Sequence, residues 1–400
     1  MDIITSNLVR KIKTSPTLAI ADKAQDMKAR GLDVISLSTG EPDFDTPSNV
    51  KSAAIQAINN GMTKYTAVDG MPSLKKAIQQ KFQKDNGIEY ATNQISVGSG
   101  AKHVIFNAIL ASLNPGQEVI IPAPYWVSYP EMVTFAGGIP VIVDCMSTGF
   151  KLTAENLERC ITSKTKWLIL NSPSNPTGVV YSAEELKSLS DILLKYPHVY
   201  ILCDDIYEHI IFDDMKFSTL AAVEPRLYNR VLTVNGMSKG YAMTGWRLGY
   251  AGGPAELIKA MAVVQSQSTS NPCSISQAAG IEALLGKQDF VHHNAGVFER
   301  RRNLVLRAIS DIDGLSCTKP QGAFYLFPDC SKFFGKTAPS GVVIISSIHF
   351  SSYLLEEERV AVVPGSAFGA DNFFRISYAV SEDILSAAMK RIKNACEKLR

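Results

Sequence analysis

The chain has 400 residues, 46% of them apolar and 20% charged, and its 40 basic against 38 acidic residues leave a formal charge of +2. At about 150 residues per domain that length allows two to three domains, enough to close a large core without disulfides or metal. This balance excludes extended disorder, offers no electrostatic footing for nucleic acid or an anionic membrane, and contains no apolar run of the ~18 residues that span a bilayer.

The first thirteen residues carry Asp2, Asn7, Arg10, Lys11 and Lys13 among short apolar pairs, without the apolar centre of a signal peptide. From there the predicted strands are 118–122, 140–144, 166–171, 199–204, 230–234 and 247–251. Several are apolar without alternation, as strands covered on both faces should be. Helical patterns at 101–113, 127–137, 183–196 and 254–267 lie between them. This alternation predicts an α/β fold: a mostly parallel central sheet flanked by helices.

The last third changes character. A helical segment at 288–312 leads to short strands at 323–327, 360–363 and 373–378, then to a final helix. That helix opens at Ser381, a good N-cap, and sets Leu385, Ala388, Ile392, Ala395 and Leu399 on one face. A smaller α+β domain is the expectation. We place the large domain at 46–300 and build the small one from 1–45 and 301–400.

Seven cysteines, the closest two thirteen positions apart (317 and 330), form no CxxC pair and no Cys/His ligand cluster. Reduced thiols in the cytoplasm and no structural metal follow. The adjacent His292 and His293 read as a solvated helix face.

Three stretches carry chemistry. In 234–250, Ser238-Lys239 follows a predicted strand, and Arg247 comes eight residues after Lys239. An isolated Ser-Lys pair is an ordinary loop, but Gly240, Met243, Gly245 and Trp246 are not the flanks of a solvated charge. A lysine desolvated there would react with an aldehyde. In 197–209 a strand runs into Asp204, Asp205 and then Tyr207. A carboxylate at the C-terminal edge of a parallel strand sits where open sheets hold ligands, although an Asp there also caps a following helix. In 96–106 a Gly-Ser-Gly turn precedes a helix whose first N–H groups suit a phosphate. It is neither Walker A nor the dinucleotide fingerprint, because no GK[ST] follows and His103 takes the third glycine place.

NPTG at 175–178, Asp204-x-Ile-Tyr207, SKGYAMTGWRLGY at 238–250 and FRISYA at 374–379, in this order, resemble the class I pyridoxal-phosphate-dependent aminotransferases of fold type I. The resemblance runs from Ser15 to Tyr378. GAKH, PAPYWVSYPEM and QSTSNP are similar to the bacterial and plastid subgroup of aspartate and prephenate aminotransferases. It implies that Lys239 binds pyridoxal 5′-phosphate covalently and later moves the substrate proton, and that Asp204 holds the ring nitrogen's proton. Tyr207 and Asn175 would bond the ring oxygen, and Trp126 would stack on the ring. The phosphate would take Ala101, Lys102, Ser238, Arg247 and, from a second subunit of a homodimer, Tyr65. Where many relatives have a serine three places before the lysine, this chain has Gly236.

Arg375 would clamp the substrate α-carboxylate, helped by the Gly40 backbone; a structural ion pair is the other reading of an arginine inside an apolar strand. The distal carboxylate would meet Lys102, Ser15, Thr17 and the partner's Ser266. The implied activity is transfer between L-aspartate and 2-oxoglutarate, with prephenate as a further acceptor. A β-lyase would keep the same core residues; a regulator would carry an added DNA-binding domain, for which residues 1–45 are too short.

Overall fold

The computed structural model describes residues 4–12 and 16–400. A short strand, β1 (Ile35–Ser36), precedes the main sheet. That sheet comprises β2 (Ile95–Gly98), β3 (Glu118–Ala123), β4 (Ile139–Asp144), β5 (Thr165–Asn171), β6 (Tyr200–Asp204), β7 (Val231–Gly236) and β8 (Gly249–Gly252). Its order is β2-β8-β7-β6-β5-β3-β4, parallel throughout except for β8, which pairs antiparallel with both β7 and β2.

Alternate residues of each strand enter two separate cores. Val119, Trp167, Ile169, Leu202, Leu232 and Val234 join the helices 101–112 and 255–266 on one face. Ile120, Leu168, Leu170, Ile201, Cys203 and Val231 join the helices 48–59, 72–81 and 274–285 on the other. Both faces are dry, so unbroken apolar runs were the right strand signal. The register also sends neighbouring side chains of β6 to opposite faces, which bears on Asp204 and Asp205 below.

The C-terminal third forms β9 (Tyr325–Leu326), β10 (Val360–Ala361), β11 (Val363–Pro364) and β12 (Phe374–Ser377). β1 pairs with β10, while β11-β12-β9 make a small antiparallel sheet. The expected strand 323–327 shrinks to two residues, its start broken by Ala323 in the left-handed region (φ 58°). The expected 360–363 splits at Val362, where the chain passes from one sheet to the other. Likewise 247–251 becomes Gly249–Gly252, because Arg247 at φ 50° cannot extend the strand. The long helix is Asp289–Ser310, and the final helix, Glu382–Lys398, is capped by Ser381 as read. His292 and His293 are exposed, all seven cysteines are free thiols, and no helix among the described residues is long and apolar enough to cross a membrane.

Beneath β6 lies a buried ion pair. Lys81 bonds Glu208, with side chains 2% and 3% exposed, and Asn86 joins both at 2.7 and 2.8 Å. Lys81→Met leaves that carboxylate buried with only the Asn86 amide and the His209 imidazole beside it, at a cost of about 3 kcal/mol. Urea unfolding should show a matching fall in midpoint, and an unchanged midpoint would contradict the argument.

Candidate active site

A cavity of about 380 Å³ opens where the parallel strands β5, β6 and β7 end. The position follows from topology: C-terminal strand ends and helix N-termini converge there. A larger groove of about 890 Å³ lies over residues 142–160 and holds none of the residues singled out above.

Lys239 and Asp204 share the cavity. Lys239 stands three residues beyond β7, its Nζ donating to the Gly40 carbonyl at 2.6 Å. Burial, with the Arg375 charge second, pulls its amine down to about 8. A near-neutral amine is a nucleophile in waiting. In the cofactor-free protein, acylation of Lys239 should therefore rise through a midpoint near 8, and a midpoint near the ordinary lysine value would contradict this desolvation. Mass-spectrometric labelling across pH reads it directly.

Asp204, the last residue of β6, is pushed up to about 6 by burial; the Tyr129 hydroxyl, the Ile206 N–H and the Lys239 charge offset part of that. Tyr129 donates to its Oδ2 at 2.6 Å, whereas its Oδ1 is buried without a partner. A buried carboxylate oxygen with no donor calls for a charged N–H from whatever fills the cavity. Asp205 points the other way, toward Lys81 and Thr219.

The rim opposite is a helix N-terminus. Gly100 (φ 91°) precedes the helix Ala101–Ser112, and any Cβ there would overlap the Arg247 guanidinium. Gly249 is equally constrained, since a Cβ would strike the Ala101 nitrogen. The Ala101 and Lys102 N–H groups, the helix dipole, buried Ser238 and Arg247 thus converge on one end of the cavity, a donor set that fits a phosphate. At Gly236 the Cβ direction is taken by Ile206, the Leu248 carbonyl and Gly249 at 3.0–3.2 Å, so a serine would have to shift its neighbours.

Arg375 in β12 lies under the third wall. It donates to the Asn175 Oδ1 at 2.9 Å and the Ser38 carbonyl at 2.6 Å, with the Tyr325 ring at 4.5 Å and its buried Nε unpartnered. No carboxylate pairs with it among the described residues, so the ion-pair reading fails and the charge stays available to an anionic ligand. Tyr207 hydrogen-bonds Tyr325 at 2.8 Å. Trp126 lines the cavity, with the Lys102 ammonium 4.9 Å over its ring.

Gly40, Ala101, Lys102, Trp126, Asn175, Asp204, Tyr207, Ser238, Lys239, Arg247 and Arg375 are therefore brought together. Tyr65 and Ser266 are not: both are exposed and lie outside the cavity. Ser15 and the Thr17 side chain lie outside the described residues. Two site residues escaped the sequence reading. Tyr129 follows Trp126 by three places on the first turn of the helix Ser128–Phe135, and Tyr325 lies in the wholly buried run 323–327. Spacing from Trp126 was the signal available for Tyr129, whereas Tyr325, in a run buried on both faces, offered none.

Residues 32–392 match the family described as aminotransferase class I and II. The Cereibacter sphaeroides aspartate/prephenate aminotransferase is 55% identical over 395 residues, covering 98% of this chain and 99% of its own. The crystal structure of the Rhizobium meliloti aspartate aminotransferase superposes with a TM-score of 0.97 at 55% identity, each chain covered fully. The Thermus thermophilus aspartate aminotransferase with maleate gives 0.91 at 42% identity, covering 98% and 99% of the two chains. The lysine amine, half-satisfied carboxylate and unpaired arginine thus sit on a fold and a sequence shared along the whole chain, which belongs to the class I and II aminotransferase family.

Proposed function

We propose that this aminotransferase uses pyridoxal 5′-phosphate to move the amino group of L-aspartate reversibly to 2-oxoglutarate by a ping-pong route, and that it also accepts prephenate. The observation that carries this reading is a cavity where a desolvated lysine amine, a buried carboxylate with one oxygen unsatisfied and an arginine without an acid partner face one another. Bound there, the cofactor supplies an aldehyde that takes up amines and a protonated pyridine that withdraws electrons from the substrate Cα.

The chain's residues do the rest. Lys239 Nζ would hold the aldehyde carbon and, once released as a free amine, would carry the proton between the substrate Cα and the cofactor. The Asp204 carboxylate would keep the ring nitrogen protonated. Asn175 and Tyr207 bond the ring oxygen, and Trp126 fixes the ring plane. Ala101, Lys102, Ser238 and Arg247 hold the phosphate, joined by Tyr65 of the partner subunit. Arg375 grips the α-carboxylate beside the Gly40 backbone. Lys102, Ser15, Thr17 and the partner subunit's Ser266 receive the distal carboxylate, a looser site than a second guanidinium would build.

The same proposal draws the cofactor domain at 46–300 and the small domain from 1–45 and 301–400, and it makes the active unit a homodimer. Sedimentation at assay concentration should give two chains, and an active monomer would refute the shared site. For the activity itself, the holoenzyme is converted with L-glutamate, freed of substrate and given oxaloacetate or prephenate separately. Return of the original cofactor absorbance with oxaloacetate supports aspartate transfer, and comparable return with prephenate supports the second acceptor. Return with neither, or release of ammonia and pyruvate from a β-substituted amino acid in place of transfer, would overturn the reading in favour of a lyase.

A further inference from the structure

We propose that Tyr129 is a positioning residue of this site: its hydroxyl holds Oδ2 of Asp204 as a carboxylate oxygen and leaves the unpartnered Oδ1 to serve the cofactor's ring nitrogen. The inference rests on the cofactor reading above and adds a residue to it.

Four observations support it. The Tyr129 hydroxyl donates to Asp204 Oδ2 at 2.6 Å, the length of a hydrogen bond to a charged oxygen, and both residues are buried. Among the described residues Tyr129 is the only side-chain hydrogen-bond donor to that carboxylate. With Oδ2 engaged, the carboxylate cannot turn without breaking this bond, and Oδ1 is left buried without a partner on a residue that lines the cavity. The Tyr129 ring also meets Trp126 edge-on, centroids 5.2 Å apart at 84°, three residues earlier on the chain. One side chain thus touches both the ring-stacking residue and the nitrogen partner.

The hydroxyl matters because burial favours the protonated acid, and the groups facing Asp204 pull in both directions. Tyr129 and Lys239 favour the carboxylate, whereas Asp205 and the Tyr207 and Cys203 groups oppose further negative charge nearby. Without the Tyr129 donor, Asp204 titrates at higher pH and is protonated near neutrality. A protonated acid no longer holds a protonated ring nitrogen.

The test compares Tyr129→Phe, Asp204→Asn and the double variant by pyridoxal 5′-phosphate dissociation between about pH 6 and 9, with melting of the cofactor-free proteins as the folding control. Tyr129→Phe should weaken the cofactor about ten- to a hundredfold near neutral pH and recover affinity as pH rises. On the Asp204→Asn background the same change should cost less than about threefold, because the charge it supports is gone. Unchanged affinity in Tyr129→Phe at every pH would overturn the proposal. So would an equal loss on both backgrounds, which would assign the effect to packing against Trp126. Failure of the unsubstituted protein to bind the cofactor at all would overturn the cofactor reading and this proposal with it.

Discussion

Lys239→Ala abolishes transfer while leaving the protein folded. The expected fall in kcat is at least about 10⁴-fold, because on the proposed reading one atom is both covalent anchor and proton carrier, and the cavity's other lysine, Lys102, stands at the phosphate end. Glu41 lines the same cavity but is an exposed carboxylate bonded to Thr244, and Asp204 is turned toward Tyr129. Stability should hold or rise. The folded-state amine lies near 8, below the unfolded value, so its charge is a penalty below that pH which fades as pH climbs toward the unfolded pKa. Deleting the side chain removes the penalty. Half-transamination with L-glutamate and thermal melting below pH 8 measure the two effects. Near-normal turnover would refute the assignment of Lys239, and collapse of the fold would mean that its bond to Gly40 is structural.

Arg375→Lys should lower kcat/KM by about 10²–10³-fold for amino acid and oxo acid alike, since both present the same carboxylate. The guanidinium already donates to Ser38 and Asn175 and lies against the Tyr325 ring, with its Nε still unused. A planar fork can hold these partners and a carboxylate together, whereas an ammonium on a flexible stem cannot reproduce that geometry. Most of the loss should fall on KM. An amine lacking the α-carboxylate should react equally well with both proteins, which separates carboxylate binding from disturbed chemistry. An unchanged KM for L-glutamate in the variant would rule out Arg375 as the clamp.

Both residues were legible in the chain because each breaks its local pattern: Lys239 among glycines and aromatics, Arg375 inside an apolar strand. Local pattern alone offered two acids at the end of β6, Asp204 and Asp205, and the resemblance singled out Asp204. The pleat gives the physical reason for that choice, sending Asp204 to the cavity face with Leu202 and Asp205 toward Lys81. Short strands were read less well. β9, β10 and β11 are two residues each, and their pairing depends on partners far along the chain rather than on their own composition.

The family and the strands buried on both faces could be read from the chain alone. Those rest on local pattern, which a chain carries whether or not it is folded. Folding alone settles which oxygen of Asp204 has no partner, that Tyr129 holds the other, and that Tyr325 lies between Tyr207 and Arg375. Those contacts bridge 75 and 118 residues between Asp204 and Tyr129 and between Tyr207 and Tyr325. They arise because a parallel sheet brings its strand ends to one edge, and no spacing along the chain encodes which side chains meet there.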